Sequence, residues 1–310
     1  MYSEADLPIT TDGRIYHLAL KPEELAENII LVGDPDRVPF LAEEFLSSVE
    51  TDVLHRGLRS ITGVTREHGV RVSIITSGMG TPSLEIVLQE ITALNEINFA
   101  SRKRKSHWPK LKIIRVGTSG AIHRDTVLGT AIVSKYAVGL ENTGLFYDIP
   151  CPDAVSSEIE LAVSQAIQSA ANSSQRFDGA IKPYAASSSG AVLSALQRAA
   201  EQLGLSHSIG ITVSSSGFFA NQGRDVARIS PSVPDIDKAL SEVQLTSSAL
   251  RIENMEMEAS FLFHFASGLG YEAGAICPVI ANRVENTFAD NYQEDVRNAA
   301  RAALLAFTLT

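Results

Sequence analysis

Glu253, Glu256 and Glu258 fall within the ten residues RIENMEMEAS (251–260), close to the apolar run EAGAICPVIAN (272–282). Carboxylates are rarely buried without partners. The stretch is therefore either an edge strand with its acidic side in water, or a pocket wall that grips a polyhydroxylated molecule. Two arginines stand beside glycine-containing loops: Arg37 follows Gly33 in VGDPDR (32–37), and Arg115 immediately precedes VGTSG (116–120). A guanidinium at the end of an apolar strand is costly to bury without an anion. Loop N–H groups can cradle phosphate, so the pairing points to a small anion of that kind. SGMGTPS (77–83) is a third such loop, but none of the three is a dinucleotide fingerprint or a Walker loop. The G-x-S-x-G context of a serine hydrolase is absent. No cluster of His, Cys and carboxylate residues has metal-ligand spacing, so no metal is expected.

These residues need a scaffold, and the chain alternates strand-like with helix-like runs. NIILVG (28–33), VRVSIITSGMG (70–80), LKIIRVGTSG (111–120) and GTAIVSKYAV (129–138) are apolar runs bounded by glycine. Helical spacing follows in VPFLAEEFLSS and PSLEIVLQEITALNEI, and an amphipathic helix is expected over about 290–307. Beyond a polar, serine-rich middle (153–190) come HSIGITVSSSGFF, RIENMEME and EAGAICPVIAN. The alternation predicts a largely parallel, barrel-like sheet with helices on its faces, in one domain spanning 1–310. With 310 residues, 45% of them hydrophobic and 20% charged, a substantial core is available. The net charge of −10 argues against a nucleic-acid face. The one basic cluster, SRKRKSHWPK (101–110), reads as a solvated surface insertion. No apolar run is long enough for a membrane span, and the N-terminus lacks the layout of a signal peptide. Two cysteines, Cys151 and Cys277, make no disulfide framework and suit a reducing, cytoplasmic location.

The segments YHLAL (16–20), VGDPDRV (32–38), SGMGTPS (77–83), IIRVGTSGAI (113–122), GFFANQGR (217–224), ENMEMEAS (253–260) and VIANR (279–283) occur in an order and spacing that resembles the type-I nucleoside phosphorylases, specifically the uridine-cleaving branch. The resemblance covers nearly the whole chain and implies a single α/β domain around a distorted mixed sheet. It also implies reversible phosphorolysis of uridine to uracil and ribose 1-phosphate, with inorganic phosphate as co-substrate and no cofactor. Deoxyuridine and thymidine are further candidate substrates.

Carried over residue by residue, the resemblance assigns phosphate to Gly33, Arg37, Arg115 and Thr118, with Arg56 lent by a neighbouring subunit. Ribose would meet Thr118, Met257 and Glu258, and His17 would reach its 5′ side across the same interface. The base would meet Phe218, Gln222, Arg224, Ile280, Ala281 and, in support, Arg283. The minimal unit would then be a homodimer, with a hexamer also open. Gly57 stands where some bacterial members carry a glutamate for a monovalent ion, so that ion is not expected here. Ala281 occupies the position of the aspartate with which hexameric purine-cleaving relatives protonate the base, and an apolar residue cannot donate a proton. Purine phosphorolysis and non-catalytic nucleoside binding are the alternatives. For Met257 and Glu258 to line one pocket, the strand must break between them and Ala259, because strict alternation would send them to opposite faces. Glu256 reads as structural and Glu253 as solvated.

Overall fold

Alternate residues of the first strand feed two different cores. Ile29 and Leu31 pack with the residues of one helical layer, Ile30 and Val32 with those of the other. The computed structural model describes residues 1–171, 176 and 179–310; part of the serine-rich middle therefore lies outside the described residues. The elements run β1 (Asn28–Val32), α1 (Arg37–Phe45), β2 (Leu46–His55), β3 (Leu58–Thr65), β4 (Arg71–Thr76) and α2 (Thr81–Glu96). Then come β5 (Ile97–Asn98), β6 (Lys103–Arg104), β7 (Lys112–Val116), β8 (Ser119–Ala121), β9 (Ala131–Leu140), α3 (Ala154–Ala170) and β10 (Tyr184–Ser187). The chain continues through α4 (Gly190–Gln202), β11 (His207–Ser215), α5 (Ile236–Ser241), β12 (Ile252–Glu256) and α6 (Ala259–Leu269). It closes with β13 (Glu272–Asn282), β14 (Thr287–Phe288) and α7 (Gln293–Leu309).

One sheet runs in the order β10-β9-β11-β12-β8-β13-β7-β1-β4-β3-β2, with β14 beside β13. Because β9 pairs with β13 as well as with β11, the strands β9, β11, β12, β8 and β13 close into a small barrel. The remaining strands extend from it as an open sheet. Helices α2 and α6 cover one face, where Leu84, Val87, Ile91, Phe261 and Phe263 are fully buried. Helices α1, α4 and α7 cover the other, with Val38, Leu41, Val192, Leu196 and Ala299.

The α/β architecture, the barrel and the mixed sheet implied by the resemblance are present; only the largely parallel sheet expected from the alternation of runs is not. Residues 46–65, which lack a continuous apolar run, form the antiparallel hairpin β2–β3, and β3 pairs antiparallel with β4. Barrel closure between β9 and β13 is antiparallel too. The serine-rich middle contains helix α3 and strand β10. The basic run 101–110 lies at the surface, as its composition suggests, with most of its residues exposed and none buried. It includes the second strand of the β5–β6 hairpin, where Arg104 pairs with the buried Glu96, and next to it Lys105 caps the Asn95 carbonyl at 2.8 Å. Arg102 holds the Leu7 carbonyl at 2.7 Å, tying the N-terminal segment down. Arg102, Arg104 and Lys105 thus fasten this surface segment to the end of α2 and to the N-terminal segment.

What matters for function is the central parallel trio. β1 pairs parallel with β4 and with β7, in registers that set Val32 beside Thr76 and Leu31 beside Arg115. All three strands therefore end at one edge, where their glycine loops lie side by side and their amides are free to meet a ligand.

Candidate active site

A cleft of about 750 Å³ opens at that edge. Gly33 lines it from the β1–α1 loop and Arg37 from the start of α1, with Arg115 from the end of β7 and Thr118 from the β7–β8 connection. Arg115 is 5% exposed. Its Nε donates to Glu256 at 2.9 Å and its Nη2 meets Glu258. Burial works against its charge, but Glu258 and Glu256 outweigh that and hold its pKa above the ordinary arginine value. Nη1 is buried without a hydrogen-bond partner among the described residues. An unsatisfied buried donor is costly, and an oxyanion beside it would remove the cost. Arg37 is half-buried, its guanidinium 5.8 Å from the centre of the Tyr292 ring.

Next along the cleft, β12 ends at Glu256 and α6 begins at Ala259, so the strand breaks where the pocket requires it. The break is made by Glu256, whose carboxylate accepts the N–H groups of Glu258 (2.9 Å) and Ala259 (3.0 Å) and the Ser214 hydroxyl (2.5 Å). Met257 and Glu258 thereby leave strand alternation, and both line the cleft. Glu258 accepts the Gly80 N–H at 2.5 Å through Oε1 and meets Arg115 through Oε2. Burial pushes its carboxyl up to about 7; Arg115 pulls the other way and Glu256 adds to the rise. Glu256, assigned above to structure alone, also lines the cleft. The solvated assignment of Glu253 fails. It is 5% exposed, and it accepts from Arg251 at 3.0 Å and from Ser208 at 3.2 Å. Every residue of β12 is buried, because Ile252 and Met255 pack in a core with residues of α3 and α5 while the strand's other residues lie within the barrel sheet.

The far end carries Phe218, Gln222, Arg224, Ile280, Ala281 and Arg283. Gln222 is buried, and its amide is held in one orientation. Nε2 donates to Ser215 Oγ (3.0 Å) and the Glu256 carbonyl (3.3 Å), while Oε1 accepts from Arg224 Nη1 at 2.6 Å. The Arg224 guanidinium lies over the Phe218 ring at 3.8 Å. Burial and the nearby Arg283, partly opposed by Asp237, push Arg224 down to about 10, so it remains a cation at neutral pH. Arg283 braces this loop through the carbonyls of Gln222 (2.6 Å) and Gly223 (3.0 Å) and an ion pair with Asp237 at 3.2 Å. Phe288 from β14 lines the same end. It lies beyond the quoted motifs, in a polar stretch whose sequence resembles an ordinary turn.

Every expected site residue thus faces the cleft except His17 and Arg56. Arg56 is exposed at the β2–β3 turn with φ +54°, over the Tyr16 ring at 5.3 Å. His17 adjoins it; its Nδ1 is 2.7 Å from the buried Glu90, whose carboxylate also accepts the His17 and Leu18 N–H groups. The two residues form a second cluster with no described contact to the cleft. Among the described residues, no group of three or more His, Cys, Asp or Glu side chains could hold a metal ion. No described helix is long and apolar enough to cross a membrane.

A barrel with an attached open sheet thus carries one cleft in which arginines, a buried carboxylate and an amide–guanidinium pair are gathered, a lining suited to a small polar ligand. The chain matches the Phosphorylase superfamily over residues 27–309 and belongs to it. It is 31% identical over 304 residues to a uridine phosphorylase of Thermococcus kodakarensis, covering 98% of this chain and 90% of that one. It is 26% identical over 292 residues to a DeoD-type purine nucleoside phosphorylase of Streptococcus suis, covering 93% and 96%. The crystal structure of a Trypanosoma brucei nucleoside phosphorylase, described as showing uridine phosphorylase activity, superposes with a TM-score of 0.88 at 29% identity, covering 98% of this chain and all of that one.

Proposed function

We propose that this protein catalyses the reversible phosphorolysis of uridine, giving uracil and ribose 1-phosphate. The observation that carries the reading is the Gln222–Arg224 pair, which shares one cleft with Glu258, Arg115 and Arg37. Gln222 Oε1 keeps a lone pair for a ring N–H, and Arg224 has further donors for a carbonyl; the uracil edge offers both. Ala281, which lines the same cleft, supplies no proton for a purine ring. Asn282 has its Nδ2 bound to the carbonyls of His123 (2.9 Å) and Thr126 (2.8 Å) and its Oδ1 to the Val284 and Glu285 amides at 3.0 Å, so it is fully engaged.

In the reaction, Arg37, Arg115, Thr118 and the Gly33 loop hold phosphate below C1′ of the ribose, whose hydroxyls are gripped by Glu258. The C1′–N1 bond breaks with its electron pair passing to the base, and a phosphate oxygen bonds to C1′. Arg224 and Gln222 stabilise the charge on the departing uracil, which takes a proton on release. Positioning and charge stabilisation supply the catalysis, with no covalent enzyme intermediate and no cofactor. A preorganised donor of this kind is worth about 3–4 kcal/mol in the transition state.

His17 and Arg56 act from a second copy of the chain in this reading. Arg56 is exposed and His17 half-buried beside the edge strand β2, on which Val49 and Leu54 are also exposed; this supports a homodimer in which each copy completes the other's cleft. The two free cysteines are in keeping with a cytoplasmic setting. The deciding experiment follows base release from uridine, deoxyuridine, thymidine and inosine with and without phosphate. Phosphate-dependent release of uracil is expected, and inosine is expected to be a poor substrate. Release without phosphate, or a preference for inosine, overturns the reading.

A further inference from the structure

Behind the cleft lies a buried carboxylate that the reaction above does not use. Glu141, just past the end of β9, is 6% exposed and has no ion-pair partner among the described residues. Four donors satisfy it instead: the Thr81 hydroxyl at 2.9 Å, the Tyr184 hydroxyl, and the N–H groups of Thr143 and Gly144. Two of these lead to Glu258 by separate routes. Thr81 opens α2 directly after Gly80, and the Gly80 N–H is the one that holds Glu258. Gly80 has φ +84°, a conformation that side chains disfavour, so this amide is aimed by a turn only glycine adopts readily. Tyr184 reaches Ser260 in the first turn of α6 at 3.2 Å. The Ser260 N–H donates to Ser214 (2.9 Å), and Ser214 donates to Glu256, whose carboxylate makes the break that turns Glu258 into the cleft. The Tyr184 ring lies so close to Gly139 that a Cβ there would come within 2.3 Å of it. Burial and Glu141 push the Tyr184 hydroxyl well above its usual range, so it stays a donor.

We propose that Glu141 is a positioning residue for the sugar-gripping carboxylate, acting through Thr81 on one side of Glu258 and through Tyr184 and Ser260 on the other. The inference rests on Glu258 binding the ribose hydroxyls. A carboxylate at 141 accepts from all four donors at once, and an amide cannot, because one of its two heavy atoms is itself a donor. The Gly80 and Ser260 ends of the Glu258 pocket would then shift independently, and misplacement of a substrate-holding group lowers rates steeply.

The test compares Glu141→Gln, Thr81→Val and Thr81→Ser with the wild type on uridine and 2′-deoxyuridine, with KM measured separately for nucleoside and phosphate. Glu141→Gln and Thr81→Val should raise the uridine KM by about tenfold or more, with the phosphate KM within about twofold of wild type. The preference for uridine over 2′-deoxyuridine should shrink, because the deoxy sugar offers Glu258 one hydroxyl fewer. Thr81→Ser retains the hydroxyl and should restore both values. A general loss of folded enzyme would lower activity on both nucleosides alike and leave the preference unchanged, which overturns the proposal. So does an unchanged uridine KM in both disruptive variants. A wild-type enzyme that releases no uracil from uridine overturns the functional reading and this inference with it.

Discussion

Arg37 and Arg115 are assigned the same anion, yet the structure gives them very different costs of removal. Arg37 is half-buried, and its guanidinium rests 5.8 Å from the centre of the Tyr292 ring. Such a contact at a partly exposed site is worth about 0.5–1 kcal/mol. Arg37→Gln should therefore lower the melting temperature by only about 1–3 °C. What it removes is a charge-assisted hydrogen bond to phosphate, worth about 1.5–3 kcal/mol. At about 1.4 kcal/mol per decade, kcat/KM for phosphate should fall roughly 10- to 150-fold, while the uridine KM stays within about twofold. Arg115→Gln is the contrast. It takes the cation from between the buried Glu256 and Glu258, and breaking a buried pair in this way costs about 3–5 kcal/mol. That variant should lose phosphate use and stability together. The assay is continuous base release at varied phosphate and saturating uridine, with thermal unfolding of the same preparations. If Arg37→Gln leaves kcat/KM for phosphate within twofold, or raises both substrate KM values equally, the assignment of Arg37 to the anion is wrong.

Two further predictions follow from the same geometry. Because burial holds the Glu258 carboxyl up to about 7 in the empty site, kcat/KM for uridine should fall as the pH drops below that value, and Glu258→Gln should flatten this limb; a profile level down to pH 5 would refute it. The stability sign is opposite: between about 7 and the ordinary 4.5 the folded carboxyl binds a proton that the unfolded chain does not, so this group favours the fold as pH falls through that window. If Arg56 serves a neighbouring subunit, mixing equal amounts of Arg56→Ala and Arg37→Gln chains under exchange conditions should recover about a quarter of wild-type activity at low phosphate, since half the dimers are mixed and each holds one intact site. No recovery would place Arg56 in its own chain's site or nowhere in catalysis.

Much of the site is legible in the sequence because the chemistry is local. An apolar strand, a glycine loop and an arginine lie within a few residues at both Gly33–Arg37 and Arg115–Thr118, and a strand-to-helix break at Met257–Glu258 follows once both side chains are assigned to one pocket. Glu253 and Glu256 could not be assigned in this way. A period-two pattern distinguishes two faces of a strand but not whether both are buried, and in β12 both are. The run 101–110 is legible as surface from its charge. Which of its charges also reach the end of α2 is decided by how the β5–β6 hairpin folds back. Residues 46–65 form strands without a continuous apolar run, because an edge hairpin needs only one buried face.

By itself the sequence determined which groups this protein has for its chemistry: the arginines beside glycine loops, the Glu258 carboxylate, and the glutamine–arginine pair. Tertiary structure alone decided how those groups are shared out. It gathered Gly33, Arg37, Arg115, Glu258, Gln222 and Arg224 into one cleft and left His17 and Arg56 outside its lining. It also set Glu141 behind Glu258, although the two are far apart in sequence. Parallel pairing of β1 with β4 and β7, and closure of the barrel through β9 and β13, bring distant chain ends to one edge. Residue spacing does not encode that proximity, because it arises from which strands pair.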